Sequence, residues 1–221
     1  MGSEMCIRDS EVTLWLAPGM SLHRNPLCGR NFEYYSEDPL LAGMMASAMT
    51  LGVQSVPGCG TTIKHYACNN QEDNRMGSDS ILSERTLREI YLKGFEIAIR
   101  NAQPMAMMTS YNLINGVHAA NSYDICTKAA RDEWGFEGAI MTDWTTTTDS
   151  TAGECTAAGC MKAGNDMVMP GDIRDHASIR QALEDGSLDI RELKRCVYHT
   201  VKIILQSNQY EDAVSYEDQF K

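Results

Sequence analysis

The chain has 221 residues, of which 43% are hydrophobic and 22% charged, and this ordinary globular composition argues against a disordered protein. A formal net charge of −11 would repel nucleic acid and anionic membrane surfaces, so we expect neither as a partner. No apolar stretch approaches the roughly 20 residues that a membrane-spanning helix needs.

The eight cysteines form no Cys-x-x-Cys pair, which argues against a zinc site or a thioredoxin-like redox site. We interpret them as free buried thiols of a reducing compartment, and therefore expect a cytoplasmic protein. Residues 1–10 follow neither helical nor strand patterning and contain no secretory apolar region. They are interpreted as a non-native leader, so we expect the native N-terminus to be missing.

From residue 11 onward, short apolar runs alternate with longer amphipathic segments. The predicted strands cover 12–17, 60–66, 105–111, 138–143 and 166–169. The predicted helices cover 38–53, 83–101, 122–133, 150–163, 175–185 and 189–206, with Ser83 as one helix start and Gly135 and Gly164 as stops.

This alternation predicts an α/β protein with a parallel sheet and right-handed crossovers. About five strands are fewer than the eight of a closed barrel. We therefore predict a partial (β/α)8 TIM-type barrel over residues 11–207 that lacks its first strands. Residues 208–221 are assigned to a C-terminal tail or the start of a linker.

Polar residues stand where these predicted strands end. The strand at 60–66 carries Lys64 and His65 near its end, the next is followed by Tyr111, and the strand at 138–143 ends in Asp143. Taken singly, each has an ordinary structural explanation, such as a core histidine or a capping residue. Together they would meet at one rim of a barrel, with Arg30 from the loop after the first strand.

The run Gly138-Ala-Ile-Met-Thr-Asp-Trp144 places a carboxylate beside a flat aromatic ring. Such a pair suits a sugar site, because the ring packs on a pyranose while the acid attacks the anomeric carbon. A capping Asp143 and a core Trp144 are the alternative for this motif alone. We expect neighbouring cations to lower the pKa of Asp143 and keep it ionised, and Tyr111 to orient it.

Several motifs in the same order resemble glycoside hydrolase family 3, and most of all its β-glucosidase-type members. They are His23-Arg-Asn-Pro-Leu-Cys-Gly-Arg-Asn-Phe-Glu-Tyr-Tyr-Ser-Glu-Asp-Pro39, Lys64-His-Tyr-Ala-Cys-Asn-Asn70, Met108-Thr-Ser-Tyr-Asn112, Met141-Thr-Asp-Trp144 and Ala163-Gly-Asn-Asp-Met-Val-Met-Pro170. The resemblance runs from about residue 12 to residue 207.

The resemblance implies a retaining exo-β-glycosidase that acts on β-linked glucosides or oligosaccharides without metal or organic cofactor. It places Asp143 on the catalytic nucleophile. The positions that contact the bound sugar are then Arg30, Lys64, His65, Arg75 and Tyr111, with Met108 and Trp144 as its walls. The acid/base glutamate of such enzymes lies on a separate α/β sandwich domain, so we expect it outside this chain and the isolated chain to be inactive.

Other interpretations remain open. The sugar could be xylose, as in a β-xylosidase-type member, or the chain could be a truncated, non-catalytic carbohydrate-binding relic. An aldolase-like barrel with a Schiff base on Lys64 is a third. The β-N-acetylglucosaminidase branch is disfavoured, because its Pro-Gly-His run is replaced here by the residues after Tyr66. The carboxylates Glu33, Glu72 and Asp73 are expected in structural roles.

Overall fold

The computed structural model describes residues 12–149, 155–207 and 210. Its strands are β1 (Leu14–Trp15), β2 (Gly60–Tyr66), β3 (Asp79–Ser80), β4 (Ala106–Thr109), β5 (Leu113–Ile114), β6 (Val117–His118) and β7 (Ala139–Met141). Its α-helices are α1 (Pro39–Gln54), α2 (Glu84–Thr86), α3 (Lys93–Ala102), α4 (Thr146–Asp149), α5 (Ala157–Ala163), α6 (Ile173–Glu184) and α7 (Ile190–Gln206).

The central sheet is parallel throughout and has the strand order β1-β2-β4-β7. A parallel bridge between Met141 and Met167 continues the pairing beyond β7. The predicted α/β class with a parallel sheet is therefore confirmed. The predicted strand at 166–169 is reduced to this bridge, and the partial barrel stays a prediction, since four strands and a bridge do not close one.

Both faces of the sheet are buried, as parallel sheets require. On one face Ile63, Met107 and Ile140 lie in register and pack with side chains of the flanking helices, including Phe95 and Ile99. The opposite face carries a second cluster, which contains Ala106, Met108, Ala139 and Met141. The alternation of side chains along each strand thus divides the core into two layers.

The helices largely follow the predicted pattern. Ser83 accepts a hydrogen bond from the Thr86 backbone N–H, and Gly164 ends α5 in the left-handed region at φ 87°. The segment predicted as one helix over 83–101 is interrupted by a π-helical turn, Leu87–Tyr91, and the helix at Asp124–Glu133 is π-helical. Of the predicted helix 150–163, residues 150–154 lie outside the described residues, and α5 forms its last part.

A small second sheet, β3-β5-β6, was not predicted. Each of its strands has two residues, too few for periodicity to be visible. The β5–β6 hairpin turns at Asn115 and Gly116, both with positive φ, and this Asn-Gly pair is a hairpin signal that the sequence does contain.

A buried ionic cluster fixes β7 against its neighbours. Asp166 accepts hydrogen bonds from Arg131 Nη2 at 2.5 Å and from the Ile140 backbone N–H at 2.7 Å, and its other oxygen lies 2.8 Å from His199 Nδ1. Arg131 also donates to the carbonyl of Gly138. One carboxylate therefore joins the π-helix, β7 and α7. Its contact on β7, Ile140, lies three residues before Asp143 in the chain.

The cysteines of the described residues are buried, and no disulfide joins them, as predicted. Cys6 lies outside the described residues. No helix within the described part of the chain is long and apolar enough to cross a membrane.

Candidate active site

Most of the predicted site residues meet where the parallel strands end. Asp143 follows β7, His65 lies at the end of β2, and Tyr111 follows β4. Arg30 immediately precedes a short 3-10 turn, Asn31–Glu33, which carries its side chain toward the same edge. Parallel strands bring their carboxyl ends to one edge, so residues far apart in sequence become neighbours.

The Asp143 carboxylate is buried, with 5% of the residue exposed. Its Oδ1 accepts a hydrogen bond of 2.8 Å from the Trp144 backbone N–H. Oδ2 has no hydrogen bond of ordinary geometry among the described residues. His65 Nε2 lies 3.5 Å from Oδ2, and the Tyr111 side chain interacts with the carboxyl group and lowers its pKa.

The neighbouring cations lower the pKa of Asp143, as expected, but the net shift is upward. Burial raises the pKa of this carboxyl, and it outweighs the opposing effects of the Trp144 backbone hydrogen bond, Arg30, Tyr111 and Arg75. The cations are in place as predicted, but the sequence does not reveal how much solvent the carboxylate loses. Asp143 therefore combines a favourable charge environment with strong desolvation.

His65 is almost completely buried beside this carboxylate. Burial, followed by the charges of Arg30, Lys64 and Arg75, holds the pKa of His65 well below its usual value. The imidazole is therefore neutral near pH 7. Its Nδ1 lies 3.0 Å from the Tyr34 hydroxyl, on the side away from Asp143.

Two cations share one anion. Arg30 Nε donates a hydrogen bond of 2.5 Å to Glu33 Oε1, and Lys64 Nζ lies 3.6 Å from Glu33 Oε2. Burial is the largest single influence and lowers the pKa of Arg30, but the hydrogen bond to Glu33 and the nearby Tyr34, Glu33 and Asp143 together outweigh it, so the net shift is upward. Glu33 therefore pairs with two positive groups, of which Arg30 acts on Asp143, and this is a structural role, as expected.

The third cation, Arg75, has a similar arrangement. Its Nη1 donates to Glu72 Oε2 at 2.8 Å, and its guanidinium carbon lies 4.3 Å from the centre of the Tyr111 ring. Burial and the nearby charge of Asp143 raise the pKa of Tyr111 to about 12, so the phenol keeps its proton.

The two predicted walls differ in exposure. Trp144 is 47% exposed, so its indole is available to a ligand rather than committed to the core. Met108 is 2% exposed and belongs to the buried cluster on one face of the sheet. It is the register partner of Lys64 on β2.

Sequence reasoning missed Tyr34 and Asn69. Both are buried, and Asn69 Nδ2 donates to the Tyr34 hydroxyl at 3.3 Å and to Glu72 Oε1 at 3.0 Å. A tyrosine in an aromatic run and an asparagine in a loop carry no local signal of such a role. Asn69 also lines a polar cavity of about 390 Å³, but none of the predicted site residues does so.

These contacts close into what we call the polar ring. Going around it, each side chain contacts the next and the last contacts the first: Asp143, His65, Tyr34, Asn69, Glu72, Arg75 and Tyr111. Among the described residues there is no cluster of His, Cys, Asp or Glu suited to a metal ion. Chemically, the ring offers one desolvated carboxylate, surrounded by hydrogen-bond donors.

Comparison with known proteins identifies the family. A family model described as the glycosyl hydrolase family 3 N terminal domain matches residues 1–203. A β-glucosidase of Ruminococcus albus is 43% identical over 213 residues, which are 94% of this chain and 22% of that protein. An exo-α-(1→6)-L-arabinopyranosidase of Bifidobacterium longum is 43% identical over 91% of this chain and 25% of its own length.

The structure of β-glucosidase 3B from Thermotoga neapolitana, in complex with α-D-glucose, superposes with a TM-score of 0.88 at 44% identity. That match covers 95% of this chain and 29% of the other. The chain thus spans between a fifth and a third of the length of these relatives. The family match, the identities and the superposition agree: the chain belongs to glycosyl hydrolase family 3 and is similar to the N-terminal domain of its β-glucosidases.

Proposed function

We propose that this chain is the nucleophile-bearing part of a retaining, exo-acting β-glycosidase of the β-glucosidase type. The observation that carries the proposal is the buried Asp143 carboxylate, whose Oδ2 lacks an ordinary hydrogen bond while His65, Tyr111 and the charges of Arg30 and Arg75 act on the group. An oxygen so placed is desolvated and available to a carbon electrophile.

In the proposed reaction, Asp143 attacks the anomeric carbon of a terminal non-reducing β-D-glucosyl residue. A bond forms between the carboxylate oxygen and that carbon, and the bond to the leaving oxygen breaks, with its electron pair remaining on the leaving group. Water then cleaves the glycosyl ester and returns the carboxylate. Because each step inverts the anomeric centre, the configuration is retained overall.

The cations and the histidine would bind the sugar hydroxyls. Arg30, Lys64 and Arg75 supply charge-assisted hydrogen bonds, and neutral His65 supplies a further one. Trp144, which is half-exposed, would cover one face of the ring, and Met108 would contribute to the wall of the site.

The acid/base carboxylate is proposed to come from outside the described residues, on a further domain. Glu33 and Glu72 are each engaged with cations or amides, and Asp73 is exposed. Carboxylates committed to such pairs are not placed to meet a leaving group. The isolated chain should therefore be inactive, or nearly so, on substrates with poor leaving groups.

Covalent trapping tests this function. The reagent is a 2-deoxy-2-fluoro-β-D-glucoside that carries dinitrophenolate, which leaves without being protonated. Fluorine slows hydrolysis of the ester, and the missing base slows it further. We expect one dinitrophenolate to be released per chain, and the chain mass to increase by one fluoroglucosyl group on the peptide that contains Asp143.

Two variants control this trapping experiment. Asp143→Asn should form no adduct, whereas Asp73→Asn, which changes an exposed carboxylate, should react like the unchanged chain. Absence of the adduct in a chain whose circular dichroism shows it to be folded would overturn the proposal. An adduct on a residue other than Asp143 would overturn it equally.

The identity with an exo-α-(1→6)-L-arabinopyranosidase favours a second candidate sugar, a pentopyranose. Fluorinated α-L-arabinopyranosyl and β-D-xylosyl reagents therefore belong in the same experiment, and the fastest trapping identifies the preferred sugar. A carbohydrate-binding relic would retain the sugars without forming an ester. A Schiff-base enzyme would instead be trapped on Lys64 by borohydride. The cytoplasmic location and the exclusion of nucleic-acid and membrane partners stay predictions.

A further inference from the structure

His65 lies between two groups that restrict where its proton can be. Its Nδ1 lies 3.0 Å from the Tyr34 hydroxyl, and its Nε2 lies 3.5 Å from Asp143 Oδ2. Tyr34 and His65 are 5% and 1% exposed, so water does not mediate freely between them. A neutral imidazole has one N–H, and the hydrogen bond at one nitrogen decides which nitrogen carries it.

The direction of the hydrogen bonds can be followed from a fixed starting point. Arg75 Nη1 donates to Glu72 Oε2, so Glu72 enters these contacts as an acceptor. The amide nitrogen of Asn69 must then face Glu72 Oε1, and its second proton is directed to the Tyr34 oxygen. The amide orientation of Asn69 is thus set by Glu72.

Because Tyr34 accepts from Asn69, its own proton is available for His65 Nδ1. Ser21 also interacts with the Tyr34 hydroxyl and could take that proton instead, in which case Nδ1–H would donate to Tyr34. That alternative would leave a bare Nε2 lone pair facing the anionic Oδ2 of Asp143. Two acceptors in contact repel each other, so the contact with Asp143 favours a proton on Nε2. The contact between Asn69 and Tyr34 favours the same tautomer.

We propose that Tyr34, oriented by Asn69, is a positioning residue that holds His65 as the tautomer protonated on Nε2, with that N–H directed to Asp143 and to the sugar. If the proposed function is correct, His65 is then always a donor toward the bound glycoside and never an acceptor. Tyr34 would act only through His65, without touching the substrate.

The test is the tautomer itself, measured by long-range ¹H–¹⁵N correlation spectra of the full chain labelled at histidine. His65 is assigned from the signal that disappears in His65→Gln. We expect a pyrrole-like Nε2 and a pyridine-like Nδ1 in the unchanged chain. The reverse pattern, or two averaged nitrogens, would overturn the proposal without any need for a variant at Tyr34.

Variants test the role of the chain of donors. Tyr34→Phe keeps the ring but removes the hydroxyl, so the Nδ1 and Nε2 signals should move toward each other as the two tautomers mix. Tyr35→Phe removes the neighbouring, half-buried hydroxyl and should leave the His65 signals unchanged. The signals of His118 and His199 show whether each variant remains folded. An unchanged tautomer in folded Tyr34→Phe would contradict the proposal.

A kinetic readout separates this inference from the proposed function. Trapping by the fluorinated glucoside should slow by about tenfold to a hundredfold in Tyr34→Phe, on the scale of other partners that orient a reactive group. Failure of trapping together with the predicted tautomer would overturn the proposed function and leave the role of Tyr34 intact. Normal trapping with the proton on Nδ1 would support the proposed function and overturn the role of Tyr34.

Discussion

Asp143 experiences two opposing influences on its charge. Burial disfavours the ionised carboxylate, while Arg30, Arg75, the Trp144 backbone N–H and Tyr111 favour it, and burial prevails. A nucleophile with a raised pKa is less acidic than an ordinary aspartate, and its ionised form is less stabilised and correspondingly more reactive. The cations reduce the pKa rise without abolishing it.

This balance predicts the acid side of the pH profile for trapping. Only ionised Asp143 attacks, so the trapping rate should fall as the pH decreases through the carboxyl pKa in the folded chain. Since that pKa is raised, the half-loss should lie above the ordinary value of 3.8. Arg30→Gln removes a charge that lowers the pKa and should move the half-loss to still higher pH, as measured by dinitrophenolate release.

Half-loss of the trapping rate at or below pH 3.8 would contradict a raised pKa of Asp143. An unchanged pH of half-loss in Arg30→Gln would show that the Arg30 charge has no effect on the pKa of Asp143. Glu37→Gln changes an exposed carboxylate of the same segment and serves as the control for a general effect of charge.

The sequence predicted which of these side chains would meet, but not the contacts that hold them in place. Asp143, His65 and Tyr111 follow from their places at strand ends, because topology brings such positions together. Tyr34 and Asn69 could not be predicted, since their role depends on hydrogen-bond directions that only the folded chain defines. The upward net shift of the Asp143 pKa could not be predicted for the same reason: charges can be counted in a sequence, whereas burial cannot.

Among the elements, β7 is the strand whose position matters most, because Asp143 lies two residues beyond its end. The strand has three residues, too few to fix itself by pairing alone. Asp166 supplies the extra restraint through Ile140, Arg131 and His199, and its side chain is fully buried. A buried carboxylate that accepts from three directions connects a strand and two helices at one point.

Removing this charge should therefore be costly. We expect Asp166→Asn to lower the free energy of unfolding by about 3–5 kcal/mol, because Arg131 is left buried without its counter-charge. Urea denaturation measures the loss. The exposed pair Arg85–Glu89 provides the control, since Glu89→Gln should cost less than about 0.5 kcal/mol. Equal losses in the two variants would mean that the Asp166 cluster contributes little.

The long helices and strands were predicted, whereas the strands of the small sheet were not. Helices α1, α6 and α7 have enough turns for apolar periodicity to be visible, and β2 has seven residues. The two-residue strands of the small sheet lie below that threshold. Leu87–Tyr91 and Asp124–Glu133 lie inside predicted helices, but their π-helical character could not be predicted, because a pattern of five to ten residues does not distinguish the two hydrogen-bonding registers.

The mechanism that we propose for the whole molecule needs two carboxylates, and the described residues supply only the nucleophile. General acid/base catalysis is worth about 10²–10⁴-fold in rate, so its absence should make the reaction strongly dependent on the leaving group. We expect the chain to release dinitrophenolate from an unfluorinated dinitrophenyl β-glucoside in a single burst, and to leave cellobiose intact.

Azide should restore turnover, since it attacks the glycosyl ester without needing a base. Addition of azide should accelerate dinitrophenolate release by about a hundredfold after the burst and yield the β-glucosyl azide. Formate, which can replace the missing base, is a second test of the same point. Measurable hydrolysis of cellobiose by the chain alone would show that it contains its own proton donor.

The polar ring also constrains how this protein can change over generations. Each of its members contacts two others, so a substitution at one position alters the protonation or placement of both neighbours, and the effects will not add. Single replacements inside the ring should therefore be purged unless a compensating change is already present. New sugar preferences would arise more readily at Trp144, which is half-exposed and lies outside the ring, than at any residue within it.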